Sequence, residues 1–276
     1  MKNCGFSENS LEKVLPCVII SVGGKADAIN YDTENNIMNT RKVNAKQCKM
    51  VAHRGCSGLE KENTLAAFIA AGNRSYWGVE TDVHRTADGE YVVIHDSETG
   101  RVAGDNIVIE NTSFEYIRSL RLKDIDGTRT RADLRIPTLR EYIAICKKYE
   151  KNCVLEFKTV YTLEQVAEMV EIIKEEGWLD HVVFISFAYD NLLNLRKILP
   201  GHPAQFLTGE YTDAMVEMIH KDKIDLDIYF SALDEEKIKH LHDLGIIVNA
   251  WTVDDPEKAQ QLIDWGIDYI TSNICE

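Results

Sequence analysis

The sequence predicts an α/β fold, a (β/α)8 TIM barrel with an N-terminal extension and a long loop after the second strand. Three observations carry the prediction. From Lys49 onward, short apolar runs alternate with helical patterns, and eight of those runs read as strands. Helix start and stop signals separate most of them, at the roughly 20–30-residue spacing of repeated strand–helix units. No Gly-rich phosphate loop follows an early strand, which counts against the runner-up, an open doubly wound sheet.

The strands are expected at Lys49–His53, Trp77–Val83, Asn152–Lys158, Val182–Phe187, Ala204–Leu207, Leu226–Phe230, Ile246–Trp251 and Asp268–Thr271. Between them, Thr138 stands three residues before Glu141, and Thr162 three before Gln165, a spacing that allows reciprocal capping of free N–H groups. Pro256 suits a first helical position after Asp255. Gly72, Gly177, Gly245 and Gly266 fall where helices should stop. In the stretch 163–173, Val166, Met169, Val170 and Ile173 share one helical face.

Two regions break the rhythm. Residues 1–48 precede the first barrel strand without a clear period, and Asn30–Asn39 reads as a polar loop. Residues 96–137 form an excursion within the 49–276 barrel domain, with an expected short strand at Ile107–Ile109 and a short helix capped by Ser113. Such long connections are commonly functional, and in a barrel this one rises from the catalytic face.

Composition narrows the function. The 276 residues suffice for one large domain or two small ones, and 45% hydrophobic with 28% charged residues is ordinary for a globular protein. A net charge of −14 with no strongly basic stretch argues against nucleic-acid binding, which rests on phosphate neutralisation. The seven cysteines are scattered without a Cys-x-x-Cys pair, so a disulfide framework and a structural zinc site are both unsupported, and a reducing cytoplasm is expected. The apolar run Val14–Val22 is interrupted by Pro16, preceded by Glu8 and Glu12, and too short to span a bilayer, so neither a signal peptide nor stable membrane insertion is expected.

The chemistry gathers between Val51 and Asp96. His53 and Arg54 end the first strand, Glu80 and Asp82 share one side of the second, and Glu156 and Lys158 repeat that spacing in the third. His95 closes the run Tyr91–Ile94. Charges facing a barrel interior are costly unless paired or metal-bound. Three carboxylates without a neighbouring thiol describe a hard-cation site, which favours Mg²⁺ or Ca²⁺ over Zn²⁺. Arg54 and Lys158 are donors suited to phosphate oxygens, and His53 and His95 can serve as base and acid. Taken singly, each group has a structural reading: a satisfied histidine, a salt bridge from Glu80 or Asp82 to Arg54, a surface Lys158.

Together these residues match a pattern. His53-Arg54-Gly55, Glu62-Asn63-Thr64, Glu80-Thr81-Asp82, His95-Asp96, Ile136-Pro137-Thr138, Leu155-Glu156-Phe157-Lys158, Ile185-Ser186-Phe187 and Trp251-Thr252-Val253 resemble the glycerophosphodiester phosphodiesterases over roughly residues 49–273. The resemblance implies a metal-dependent barrel that converts a glycerophosphodiester to glycerol phosphate and an alcohol. Carried over by position, His53 and His95 are the general acid/base pair, and Glu80, Asp82 and Glu156 hold one divalent cation. Arg54 and Lys158 bind phosphate with Glu62 beside them, and Phe187 and Trp251 line the substrate cleft. Lys61 departs from the family, which usually has proline there; the change alters loop stiffness and adds a charge near the cleft.

Two alternatives remain open at this level. One keeps the fold but takes lysophospholipids or sphingomyelin; the polar, charged 96–137 segment favours a deacylated substrate instead. The other is a non-catalytic binding barrel, whose signature would be loss of a histidine or metal carboxylate. Cys56 reads as a loop residue or a reactive thiol. The remaining histidines (His84, His181, His202, His220, His240, His242) read as structural or surface groups, although His84 shares strand parity with Glu80 and Asp82. His240 and His242, two apart on a helix, do not share a face.

Overall fold

A computed structural model describes residues 39–276. Eight parallel strands close into a barrel: β1 (Lys49–Ala52), β2 (Gly78–Arg85), β4 (Asn152–Phe157), β5 (Val182–Ser186), β6 (Ala204–Thr208), β7 (Asp225–Tyr229), β8 (Val248–Trp251) and β9 (Tyr269–Ser272), with closure through β1–β2 pairing. All eight expected strands are present, with ends shifted by a residue or two. A ninth, β3 (Tyr91–Val93), folds back antiparallel on β2 and stays outside the closed ring.

Helices follow the strands and cover the outside. The two expected capping boxes form at the starts of α3 (Leu139–Lys148) and α4 (Leu163–Glu175), each with Thr and Glu or Gln satisfying the other's N–H. In α4, Val166, Met169, Val170 and Ile173 are buried, as the pattern predicts. Asp255 caps α8 (Pro256–Asp264), with Pro256 in its first turn.

Side chains alternate across each strand and sort into two layers. The outward layer (Val79, Val83, Leu155, Phe157, Phe184) packs under the helices, with Phe157 and Phe184 stacked at 5.2 Å. The inward layer is part apolar (Val51, Val154, Val183, Ile185, Leu207) and part polar (Glu80, Asp82, Glu156, Gln205, Asp227, Asn249), and all of these are buried. At the N-terminal mouth of the barrel the Lys49 ammonium lies 5.0 Å from the Trp77 ring and 4.8 Å from the Tyr269 ring.

The expected run Val14–Val22 and most of the polar loop Asn30–Asn39 lie outside the described residues. The chain from Thr40 to Val43 pairs with the C-terminus through Arg41 N to Ile274 O (2.9 Å) and Val43 N to Glu276 O (3.0 Å).

The 96–137 excursion differs in two details from expectation. Ile107–Ile109 is not a strand: one bridge joins Val108 to Glu98, and Ile109 then enters a 3-10 turn that runs to Asn111. Burying Ile109 in the excursion's own apolar cluster turns the chain away from further pairing. Helix α2 (Phe114–Ser119) starts after Ser113, but Ser113 makes no side-chain cap. The Asp88 carboxylate of the β2–β3 turn accepts from the Phe114 N–H at 2.9 and 3.1 Å and takes that role, a tertiary cap invisible to local sequence.

Candidate functional site

Pairing register assembles the acidic centre. Asp82 of β2 lies opposite Glu156 of β4, and Glu80 lies two residues before Asp82 on the same inward side. One oxygen from each of the three carboxylates falls within 4.8 Å of the others. Burial and the Asp82 charge push the Glu80 acid well above its usual range, and the same two causes push Glu156 up to about 8. For Asp82, burial is outweighed by Lys158, Arg54 and His95, and its carboxyl falls well below the usual range. Asp82 Oδ1 is buried without a hydrogen bond. Lys158 Nζ stands 3.3 Å from that oxygen and 3.0 Å from Glu156 Oε1. Converging hard oxygens, one of them unsatisfied, with no thiol among them fit a divalent cation.

The turn after β1 brings the first histidine and arginine to this centre. Arg54 (φ 56°) and Gly55 (φ 77°) both take left-handed backbone. A Cβ on Gly55 would lie 2.7 Å from the Ala67 backbone of helix α1 (Leu65–Gly72), so glycine is required. Asn63 is also left-handed (φ 52°), and holding two non-glycine residues there is a local cost of the kind found at functional sites. In return the Arg54 N–H donates to Glu80 Oε2 at 2.8 Å, and Asn63 Nδ2 donates to Asp82 Oδ2 at 2.7 Å. Arg54 Nη1 bonds Glu62 Oε1 at 3.0 Å, and its Nε lies 3.4 Å from Asp82 Oδ2.

The two histidines have different partners. His53 Nδ1 is 2.7 Å from the Asn273 Oδ1 amide oxygen, which therefore accepts the ring proton and leaves Nε2 without one. Asn273 is fixed in turn by Ser57, which donates to Oδ1 at 2.6 Å, and by Asp254, which accepts from Nδ2 at 2.6 Å. Burial, helped by Arg54, lowers the His53 imidazole to about 4. His95 Nδ1 instead meets a carboxylate, Asp96 Oδ1, at 2.7 Å. Burial also lowers His95, while Asp82 and Asp96 act against that lowering.

Phe187 and Trp251 stand at the C-terminal ends of β5 and β8 with ring centroids 5.7 Å apart, and Tyr229 joins Trp251 at 5.6 Å. Phe187 is 51% and Tyr229 40% exposed, so this edge is open to a ligand.

The structure thus brings His53, Arg54, Glu62, Glu80, Asp82, His95, Glu156 and Lys158 to one end of the barrel. His84 stays out of the acidic centre: its Nε2–H donates to the His95 carbonyl at 3.2 Å and supports that turn. His242 pairs with Asp268, and His202 with the Val182 carbonyl, both structural roles. Cys56 is buried with its thiol pushed up by burial, which makes it a packing residue. The five described cysteines are free. Sequence reasoning missed Asn273, Asp254, Arg101, Tyr229 and Asp227. Asn273 and Tyr229 could have been flagged as polar residues at barrel-strand ends. Arg101 gives no such signal.

A model of the glycerophosphoryl diester phosphodiesterase family matches residues 53–275. The chain belongs to this family. It is 28% identical over 230 residues to a glycerophosphodiester phosphodiesterase of Caldanaerobacter subterraneus, covering 81% of this chain and 93% of that one. A solved phosphodiesterase of Oleispira antarctica, in complex with the product sn-glycerol-3-phosphate, superposes with a TM-score of 0.76 at 26% identity, over 85% of this chain and 96% of that one. A glycerophosphodiester phosphodiesterase structure from Thermotoga maritima gives 0.66 at 27% identity, over 82% and 94%. This family member is a phosphoric diester hydrolase; two of these relatives are named for glycerophosphodiesters and the third holds sn-glycerol-3-phosphate as product, which does not favour the lipid-substrate alternative. Among the described residues no helix is long and apolar enough to cross a membrane.

Proposed function

We propose that this phosphodiesterase splits glycerophosphodiesters into glycerol 3-phosphate and an alcohol with one Mg²⁺ or Ca²⁺ held by Glu80, Asp82 and Glu156, His53 as first base and His95 as first acid. The observation that carries the reading is the buried carboxylate triad flanked by two cations and by two histidines with unlike partners. The bound cation would supply positive charge to the phosphate and to the adjacent glycerol hydroxyl. Arg54 and Lys158, already beside the triad, would bind the phosphate oxygens. Glu62, an anion itself, would orient Arg54 and not touch phosphate.

The hydroxyl proton passes to His53 Nε2, and the freed oxygen attacks phosphorus to form a cyclic phosphate. The bond from phosphorus to the leaving alcohol breaks as His95 Nε2 protonates that oxygen. In the second half His95 takes a proton from water, whose oxygen opens the ring, and His53 returns its proton to the glycerol oxygen. The partners support this order. The amide oxygen on His53 stabilises an imidazolium less than a carboxylate does, so His53 rests unprotonated, while Asp96 supports a positive His95. Phe187, Trp251 and Tyr229 would line the side of the cleft taken by the alcohol or glycerol carbons.

Free cysteines support a reducing, cytoplasmic setting. Wild type and His53→Ala are compared on glycerophosphocholine with Mg²⁺, with Ca²⁺ and with EDTA. Loss in the variant and in EDTA is expected; equal rates throughout sink the proposal. A cyclic glycerol phosphate trapped under slow turnover supports the two-step route.

A further inference from the structure

Arg101, on the first turn of the excursion, uses all three guanidinium nitrogens on two site carboxylates. Its Nε donates to Asp96 Oδ2 at 2.6 Å. Its Nη1 and Nη2 grip Glu62 Oε2 and Oε1 at 2.7 and 2.8 Å. The other oxygen of Asp96 holds His95 Nδ1, and Glu62 Oε1 also holds Arg54. A continuous chain therefore runs from His95 through Asp96, Arg101 and Glu62 to Arg54 and the metal-site carboxylates.

The excursion keeps Arg101 in place. Its neighbours Val102 and Ala103 are buried in the local apolar cluster, and the Lys123 N–H donates to the Val102 carbonyl at 2.8 Å. Without the guanidinium, two carboxylates would face each other with nothing to bridge them, and both would lose a reason to stay against His95 and Arg54. A lysine could meet one of them but not fork across both.

We infer that Arg101 is a positioning residue: it fixes the Asp96 carboxylate on His95 so that His95 presents Nε2 to the leaving alcohol. The inference rests on the site reading above. It also gives the excursion a catalytic purpose, since the segment's packing decides where the guanidinium lies.

Leaving-group chemistry separates this role from a structural one. A choline alkoxide leaves only with a proton from an acid, whereas p-nitrophenolate leaves without one. Arg101→Ala and Arg101→Lys are assayed on glycerophosphocholine and on the p-nitrophenyl ester of glycerol phosphate, beside His95→Ala and the double variant His95→Ala/Arg101→Ala. The expected result is a kcat lower by about 10- to 100-fold on the choline ester, part of the ~10²–10⁴ that a positioned acid contributes. The aryl ester should lose less than about threefold. The double variant should be no slower than His95→Ala, because effects acting through one group do not multiply. Millimolar guanidinium should restore part of the Arg101→Ala rate on the choline ester.

Equal losses on both esters, a wild-type rate in Arg101→Lys, or a fully multiplicative double variant overturns the inference. If the alanine variant does not fold, the lysine variant decides. A wild type active on the choline ester with an unaffected Arg101→Ala fails the inference alone, whereas a wild type inactive on both esters fails the site reading and the inference together.

Discussion

The barrel rim and the 96–137 excursion both deliver charged side chains to one cleft, and they hold them by different means. Glu80, Asp82 and Glu156 stand on β2 and β4, whose backbones are locked by six consecutive register pairs. They are 4%, 1% and 6% exposed, so their mutual repulsion is poorly screened, and bound protons or a cation relieve it. The excursion has one short helix, a 3-10 turn and a satellite apolar cluster built on Ile109, Ile117, Leu122, Leu134 and Ile136. Its charges are partly exposed, as in Arg131 with Glu60 and Arg118 with Glu141. The rim supplies a fixed electrostatic demand; the excursion supplies an adjustable contact, of the kind that opens locally before the whole domain does.

Changes at the rim should break activity outright. Glu80→Gln keeps an acceptor for the Arg54 N–H and replaces a group that burial already favours as neutral, so the fold should persist. Losing a ligand charge should lower kcat/KM by about a thousandfold at fixed metal, or about 4 kcal/mol of transition-state stabilisation. Metal titration by calorimetry should show weaker binding. Unchanged activity would remove Glu80 from the metal set.

Changes inside the excursion should act locally. Ile117 is fully buried there, and Ile117→Ala should cost about 2–4 kcal/mol of local stability. Limited proteolysis should then cut within residues 96–137 while the barrel stays folded, and turnover should fall as Arg101 loosens. Cutting throughout the barrel instead would mean that the two regions unfold as one.

The rim also makes a pH prediction with a definite sign. Glu156 is raised from 4.5 to about 8, so the metal-free native chain holds a proton that the unfolded chain lacks between those values. That contribution is complete below 4.5 and is lost as pH rises through 8. From pH 6.5 to 8, denaturant unfolding in EDTA should therefore show about 2 kcal/mol less stability. Glu156→Gln, or saturating cation, should flatten the slope; a wild-type stability that rises with pH in EDTA would contradict the assignment.

The smallest effect belongs to the seam between the two regions. Lys61 is half-buried near Arg101 and Lys123, and burial lowers its ammonium. Among the described hydrogen bonds none uses its N–H, so Lys61→Pro should change stability by under about 1 kcal/mol. It should reduce the relative rate on an anionic headgroup such as serine against choline by a few-fold, read as a ratio of kcat/KM values.

Much of the site was legible because strand parity is a local rule. Glu80 with Asp82, and Glu156 with Lys158, follow from a period of two, and the capping boxes of α3 and α4 from spacing alone. The partner of His53 was not legible, whereas Asp96 stands beside His95 in the sequence. Asn273 reaches His53 across 220 residues, and Glu62 reaches Arg101 across 39. Such contacts depend on which strand ends become neighbours, and no local period encodes that. The Asp88 cap on α2 and the failed strand at Ile107–Ile109 have the same cause, tertiary contact overriding a local signal.

By itself the sequence determined the barrel, the eight strands and the residue types at their ends, because alternation and capping act over a few residues. Tertiary structure decided the register that sets Asp82 against Glu156, the amide on His53, and the placing of Arg101 between Asp96 and Glu62. Barrel closure fixes these, since it alone brings β1 beside both β2 and β9 and lets the excursion fold over the ring.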